Sequence, residues 1–198
     1  MATAAVTRTM RADARRNRRV LLDVASRAFS SGEDKVTLDA IAREAGVGIG
    51  TLYRHFPTRE ALVEAVYRNE LERLRARAGE LLASQAPDVA LRTWMDRFAD
   101  YVAAKRGMAD TLRAVVASGA IAASETRDGL ADTIRSLLDA GAAAGTTRND
   151  VEAHDVLASL TGILLTTREP AQRERAGRMV DLLMDGLRAG AARQVPGR

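Results

Sequence analysis

The sequence has 198 residues and no cysteine, which excludes disulfides, thiolate metal ligands and a cysteine nucleophile. Proline is scarce and aromatic residues make up only 4% of the chain, whereas Ala, Leu and Arg are abundant, a composition that favours helices. The most apolar run, residues 160–165, is far shorter than the ~18 residues of a membrane span. The N-terminus lacks the apolar segment of a signal peptide. We therefore expect a cytoplasmic protein with no membrane partner.

Positive charge is concentrated in the first third of the sequence. Residues 1–63 contain 11 Lys and Arg against 7 Asp and Glu, which accounts for the whole formal excess of +4. The remaining residues are neutral overall, with 19 of each sign. A basic N-terminal segment on a neutral body indicates a polyanionic partner such as nucleic acid, although a solvated basic tail fits the charge equally well.

Helical spacing of apolar residues extends along most of the chain, and no strand pattern or repeat interrupts it. An apolar stripe from Val20 to Phe29 predicts a first helix that begins near Ala14 and ends at Gly32. The residues before it have no usable periodicity and are expected to be mobile. Later helices are expected near residues 38–45, 48–55, 59–83, 88–106, 108–118, 129–144, 151–167 and 170–187, with Asp150 as a cap and loops at 119–125 and 145–149.

Three alternate glycines, Gly46, Gly48 and Gly50, stand in the run AGVGIGTLYRHF. A dinucleotide-binding loop needs a preceding strand and a third glycine where this sequence has Thr51, and a P-loop needs a Lys that is absent. A helix-turn-helix motif explains all three glycines. Gly46 supplies a turn residue with positive φ, Gly48 caps the second helix, and Gly50 lets the start of that helix approach DNA closely.

Residues around the glycines fit the same motif. Thr37 is suited to cap its first helix, and Thr58 is suited to cap the long helix that follows. The apolar residues that would form its small core are Ile41, Val47, Leu52 and Phe56, packed against Val24, Ala28 and Phe29. The spacing therefore predicts two short helices that pack on the first long one.

The run TLDAIAREAGVGIGTLYRHFPTREAL strongly resembles the DNA-binding domain of the TetR/AcrR family of bacterial transcriptional regulators. Gly48 stands where the family usually has a serine, Arg59 where it has a lysine, and Glu33 where an aromatic residue is frequent. The rest of the chain is similar to the C-terminal domain of the SbtR-type subgroup. The positions that match the family pattern are Thr37, Leu38, Ile41, Ala42, Ala45, Gly46, Val47, Gly50, Thr51, Leu52, Tyr53, His55, Phe56, Thr58, Glu60 and Leu62.

The resemblance implies an all-α fold of about nine helices. A three-helix helix-turn-helix DNA-binding domain would be joined by a long helix to a helical bundle for ligand binding and dimerisation. The expected divisions are a basic flexible arm at residues 1–14, the DNA-binding domain at 15–63, the helical domain at 64–190 and a flexible tail at 191–198.

In a helix-turn-helix motif the second helix enters the major groove. The resemblance implies phosphate contacts from Tyr53, His55 and Arg59, while Arg54 faces solvent by periodicity and can reach either the backbone or a base. The arginines between residues 8 and 19 either reach the minor groove or form a solvated arm. The candidate DNA-binding residues are Thr37, Gly48, Ile49, Gly50, Thr51, Tyr53, Arg54, His55 and Arg59.

The resemblance also implies a homodimer formed by the last two helices. Each of these helices has an apolar stripe, and such a stripe packs either against a second copy or against the chain's own core. The candidate interface residues are Val156, Leu160, Ile163 and Leu164 on one helix and Met179, Leu182, Leu183, Gly186 and Leu187 on the other.

Aromatic and methionine residues cluster in the middle of the chain, where a ligand cavity would lie. Such a patch lines a cavity or forms plain core. Arg113 and His154 are candidates for orienting a ligand, although an arginine such as Arg113 is more often a surface residue. The candidate ligand-binding residues are Trp94, Phe98, Tyr101, Met108, Leu112, Arg113 and His154.

The function implied is that of a sequence-specific regulator, a dimeric repressor that leaves a palindromic operator in double-stranded DNA when an unknown small-molecule effector binds. Activation is the alternative mode. No cofactor and no metal site are expected, and an enzyme is disfavoured because catalytic motifs are missing and the two histidines are isolated. The other rivals are an architectural DNA-binding protein and a protein-interaction module with a decayed DNA site.

Overall fold

The computed structural model describes residues 2–30, 36–167 and 169–190. These residues form nine α-helices, which confirms the all-α prediction, and their only extended pairing is an isolated bridge between Thr147 and Arg188. None of these helices combines the length and the apolar character of a membrane span. The helices are α1 Ala2–Ser30, α2 Leu38–Glu44, α3 Ile49–His55, α4 Arg59–Ser84, α5 Pro87–Gly107, α6 Ala109–Ala117, α7 Ala123–Ala143, α8 Ala153–Thr166 and α9 Arg173–Leu187.

The chain forms two compact units, which divide α4 after Glu70 and α5 after Val102. The first unit comprises the residues up to Glu70 together with Ala103–Ala122, and the second comprises the remaining residues. The sequence analysis instead placed one division at residue 63. Long helices that begin in one unit and end in the other carry no sequence signal at the point of division, because their apolar spacing continues without a break.

In the first unit α2 packs against both α1 and α3. The interior side chains of this trio are those that the helical spacing predicted, with Val47 and Ala28 only half-buried at its edge. Burial of apolar side chains stabilises three helices of which two have only seven residues, too few to be stable alone. The fully or almost fully buried residues are Leu21, Val24, Phe29, Ile41, Leu52 and Phe56.

In the second unit the core forms around α7, α8 and the single tryptophan of α5. Trp94 is completely buried, and its indole N–H donates a hydrogen bond of 2.9 Å to the carbonyl of Leu74 on α4. Arg92, one turn before it, pairs with Asp96 on its own helix and donates to Asp181 on α9 at 2.8 Å. A satisfied indole and a partly buried ion pair therefore fix α5 against α4 and α9.

The turn between α7 and α8 is held by the end of α9. The Arg148 amide donates to the Leu187 carbonyl at 2.9 Å, and the Ala189 amide donates to the Thr146 carbonyl at 3.2 Å. Buried Thr147 donates through its hydroxyl to the Leu138 carbonyl. A side chain at Gly141 would meet the Thr147 hydroxyl and lie 2.8 Å from its methyl group, so glycine is required where the turn folds back on α7.

The first helix begins at Ala2, so the expectation of an arm without helical structure before Ala14 is wrong for the backbone. Extending an existing helix requires propagation only and no new nucleus, and residues rich in Ala and Arg allow it without an apolar stripe. Gly32, expected to end this helix, and the expected flexible tail at 191–198 lie outside the described residues.

Two later helices begin three or more residues away from the predicted start. The seventh begins at Ala123, within the expected loop 119–125; the Arg75 guanidinium lies beside its Gly129 and donates to its Glu125 carbonyl at 3.4 Å. The last begins at Arg173, since residues 170–172 form a 3₁₀ turn.

Asp150 does not cap α8, contrary to the sequence analysis, since Glu152 occupies the N-cap position. Both carboxylate oxygens of Asp150 instead accept from Arg148, at 2.6 Å each. This hydrogen bonding lowers the pKa of the Asp150 carboxyl below its usual value. Because the Asp150 carboxylate accepts from Arg148 in the preceding turn, it is unavailable to the amides at the start of α8.

Candidate nucleic-acid interface

The helix-turn-helix unit begins at Thr37, which is the N-cap of α2. Its side-chain oxygen accepts from the Ala40 amide at 3.2 Å, as the sequence predicted. Asp39 lies in the first turn, where its charge favours the positive end of the helix. The Thr37 side chain is exposed, so its hydroxyl proton stays available for an acceptor outside the chain.

Gly46 makes the turn between α2 and α3 with a φ of +67°, which confirms the prediction of a left-handed residue there. Its amide and that of Val47 donate to the carbonyls of Arg43 and Ala42, at 3.1 and 3.0 Å, and so satisfy the end of α2. Gly48 is the N-cap of α3 with extended backbone, again as predicted.

The short helix α3 has one buried face and one bare face. Leu52 is completely buried, whereas 39% of Ile49 and 48% of Tyr53 are exposed. No atom of the residues that the structure describes lies within 4 Å of the position that a side chain at Gly48 or Gly50 would occupy, so packing among these residues does not require either glycine. Two large apolar side chains beside two such glycines form a surface that suits a close external partner.

Arg54 lies on the same exposed face and folds back along α3. Its Nε donates to the Gly50 carbonyl and its Nη2 donates to the Thr51 hydroxyl, both at 3.2 Å. Thr51 and Arg54 were predicted as separate candidates, and the structure brings them together.

His55 and Arg59, by contrast, take part in internal contacts at the end of the motif. The half-buried guanidinium of Arg59 donates from Nη1 to the Val36 carbonyl at 2.6 Å and lies 5.6 Å from the centre of the Phe29 ring. The half-buried ring of His55 lies 6.2 Å from that of Phe56. Arg59 therefore joins the start of α4 to α1 and to the start of α2.

A further cation, one of the arginines that the sequence analysis assigned together to a minor-groove contact or a solvated arm, adjoins the end of α3. The Arg18 guanidinium lies 5.1 Å from the centre of the Phe56 ring. Arg15, Arg16 and Arg19, on the same stretch of α1, are exposed. The only signal in the sequence was the excess of arginine, since the contact between residues 18 and 56 depends on how α1 and α3 pack.

The candidate ligand-binding residues fall in both units. Trp94, Phe98 and Tyr101 form a buried row in the second unit, with ring centroids 5.7 and 5.9 Å apart. Met108 and Leu112 are buried in the first unit. The two polar candidates are exposed, and each meets an acid: Arg113 pairs with Asp110, and His154 Nε2 lies 3.5 Å from Asp128.

The candidate dimer residues also divide, according to burial. Five of them lie in the core of the second unit, where they contact their own chain: Val156, Leu160, Ile163, Leu164 and Leu187. Met179 and Leu183 are half-buried, whereas Leu182 is 70% exposed and Gly186 is exposed. Leu165 on α8, which the sequence analysis did not name, is 49% exposed. A dimer contact would therefore use the outer face of these helices.

Helices α1 to α3 pack together, α2 is capped at Thr37, and α3, the second helix of the motif, leaves one face exposed. A helical remainder follows. This arrangement is that of the helix-turn-helix class of DNA-binding proteins. Residues 21–66 match the family model for bacterial regulatory proteins of the tetR family, and residues 86–189 match that for the C-terminal domain of SbtR-like transcriptional regulators. The chain belongs to the TetR family of DNA-binding transcriptional regulators, as the sequence resemblance implied.

Crystal structures of relatives extend the likeness over most of the chain. A TetR transcriptional regulator of Streptomyces coelicolor is 51% identical, with 87% of this chain and 99% of that chain covered and a TM-score of 0.81. A TetR regulatory protein of Mycobacterium vanbaalenii is 37% identical, with 90% and 99% covered and a TM-score of 0.72.

Curated relatives match over about a third of the chain. An HTH-type transcriptional regulator of Staphylococcus aureus is 38% identical over 64 residues, which are 32% of this chain and 35% of that protein. The chain thus spans about a third of the length of these curated relatives.

Proposed function

We propose that this regulator is a cytoplasmic dimeric repressor that binds a palindromic operator and leaves it when a small-molecule effector binds. The observation that carries the proposal is the bare face of α3, where Ile49 and Tyr53 are exposed although both are large and apolar. A major groove admits an α-helix, and a helix start without side chains at residues 48 and 50 suits close approach to it.

Phosphate contacts would place this helix on the duplex. The Tyr53 hydroxyl, the exposed Thr37 hydroxyl and the His55 ring are the proposed donors to phosphate oxygens. Arg59 is held by Val36 and Phe29, so we assign it first to positioning the motif and only then to attracting the backbone. Arg18 of α1 adds positive charge beside the end of α3.

The dimer would form through the exposed faces of α8 and α9. Along α8 these faces present Ala158, Gly162 and Leu165, and along α9 they present Leu182 and Gly186. Small residues at one-turn spacing allow two helices to approach closely, and the two exposed leucines offer apolar area to bury. An isologous contact of this kind would set two copies of α3 at the spacing of two half-sites.

The effector site is proposed in the second unit, at the row Trp94, Phe98 and Tyr101. A row of adjacent aromatic rings suits a hydrophobic ligand. Such a ligand would release DNA to the extent that it binds the DNA-free conformation more tightly than the DNA-bound one. A thermal-shift screen of hydrophobic metabolites against the full chain would identify it, because a ligand raises the melting temperature of the state it binds.

The proposed function is tested by recovering the genomic fragments that the purified protein retains and titrating each complex with salt. We expect a shared inverted repeat, with affinity that falls steeply as salt rises. Retention of every fragment alike would point to an architectural protein, and retention of none would contradict DNA binding altogether.

A further inference from the structure

The outermost face of α3 is occupied by one long side chain. Each residue of an α-helix turns by about 100°. Gly50 and Arg54 are each two residues away from Leu52, so both lie within about 20° of the side of the helix opposite Leu52. Leu52 is completely buried, whereas Gly50 and Arg54 are exposed. Gly50 has no side chain, so Arg54 is the residue that extends furthest into whatever this face meets.

The Arg54 side chain is already held in place. Its Nε and Nη2 donate to the Gly50 carbonyl and to the Thr51 hydroxyl, so one edge of the guanidinium is bound to the helix itself. The other edge, formed by Nη1 and the second N–H of Nη2, makes no hydrogen bond or ion pair with the described residues. Ordering a long side chain beforehand lowers the entropy that binding has to remove.

The unpaired edge has the geometry of a bidentate donor. Two parallel N–H groups match the O6 and N7 acceptors that guanine alone presents in the major groove. The other exposed side chains of α3 offer less, since Ile49 has no polar atom and Tyr53 has a single hydroxyl. Thr51 already accepts from Arg54.

We propose that Arg54 reads a guanine in each half-site and that Thr51 and the Gly50 carbonyl position its guanidinium for that contact. The assignment rests on the proposed function, because it names a specificity-determining residue of the same DNA-binding surface. An arginine that only met phosphates would attract all duplexes alike and would select no base.

The first experiment selects duplexes from a library with a random core, using the full-length protein and the variants Arg54→Ala and Arg54→Lys. We expect the wild type to select a motif with a guanine that both variants no longer require, because lysine keeps the charge but has no planar fork. Arg43→Ala, which removes an exposed arginine from α2, is the matched control and should select the wild-type motif.

The second experiment replaces each guanine of the selected duplex by 7-deazaguanine, which lacks the N7 acceptor. The wild type should lose affinity at one position per half-site, by less than the roughly 5- to 150-fold of a whole bidentate contact, because the O6 acceptor remains. Arg54→Ala should show no further loss there. Thr51→Val should weaken the preference for guanine while leaving the salt dependence of binding unchanged.

The outcomes separate this inference from the function on which it rests. A wild type that selects no motif overturns both. A motif whose guanines persist in Arg54→Ala and Arg54→Lys, with a shallower salt dependence in Arg54→Ala alone, keeps the regulator and reduces Arg54 to a phosphate contact. Circular dichroism of each variant confirms folding, which an exposed side chain does not control.

Discussion

At the scale of single residues, Tyr53 shows how exposure separates binding from stability. Its side chain is half exposed on α3, so a truncation removes little buried area. We expect Tyr53→Ala to weaken DNA binding by about ten- to a hundredfold, as for a hydrogen bond to a charged group of about 1.5–3 kcal/mol. The loss should be similar for every sequence, because a phosphate contact carries no base information.

Quantitative binding to matched and mismatched duplexes checks this prediction. Tyr53→Phe is the control, since it keeps the ring and removes only the hydroxyl, and it should show most of the same loss. Unchanged affinity of Tyr53→Ala, or a change in the preferred sequence, would contradict the assignment to phosphate.

Gly46 and Gly48 are a matched pair for substitution, because the two glycines lie two residues apart but have different backbone conformations. A side chain at Gly46, with φ at +67°, is expected to cost about 1–2 kcal/mol in Gly46→Ala. Gly48 has negative φ and open space, so Gly48→Ser should add an N-cap hydrogen bond and gain a few tenths of a kcal/mol. Chemical denaturation measures both, and equal stability of the two variants would refute the turn assignment.

At the scale of elements, the basic stretch of α1 precedes the buried part of this helix. Between residues 13 and 20 no side chain is buried, and the first buried one after them is Leu21. We expect a protein without residues 2–12 to fold and to bind DNA with a shallower dependence on salt, because it lacks Arg8 and Arg11. The slope should fall by about 0.9 for each phosphate contact that is lost.

The measurement is a salt titration of DNA affinity. The control variant Arg127→Ala/Arg135→Ala also loses two arginines, which are exposed and lie on α7 in the second unit. If the truncation and this control change the slope equally, general charge and not the position of α1 explains the effect.

The junction of α7 with the following turn depends on one glycine. Gly141→Ala would drive a methyl group into the buried Thr147 side chain, so it should lower the free energy of unfolding by about 1–3 kcal/mol. Gly79→Ala, in the exposed middle of α4 with open space around it, should instead raise it by about 0.5–1 kcal/mol. Equal effects in thermal unfolding would show that the turn adapts freely.

At the scale of the whole molecule, the proposed repressor needs two copies of the helix-turn-helix motif, because one copy alone recognises a DNA sequence only weakly. Leu182 is 70% exposed in the single chain, so Leu182→Glu should leave the fold intact while placing two like charges in an isologous contact. We expect this variant to be monomeric in size-exclusion chromatography with light scattering and to bind the full operator far more weakly than the wild type does.

Val89→Glu is the matched control, because Val89 is also exposed, at 49%, but lies on α5. It should remain dimeric and keep its affinity. A Leu182→Glu variant that still dimerises at the same concentration would move the interface away from this face of α9.

The sequence by itself determined the helices and the helix-turn-helix motif. Caps at Thr37 and Thr58, positive φ at Gly46 and a stripe of apolar side chains are local features, set by residues within one or two turns of each other. The family followed from the same run, because the spacing of its glycines and apolar residues fits a single motif, the helix-turn-helix.

Only the tertiary structure decided which neighbours those helices meet. An apolar stripe reports that a face is buried but not what covers it, so the stripe from Val156 to Leu164 was open between a second copy and its own core, and it lies in the core. In the same way, the contacts of Arg18 with Phe56 and of Arg59 with Val36 join residues far apart in sequence. Packing brings such pairs together, and the local spacing of residues in the sequence does not predict these contacts.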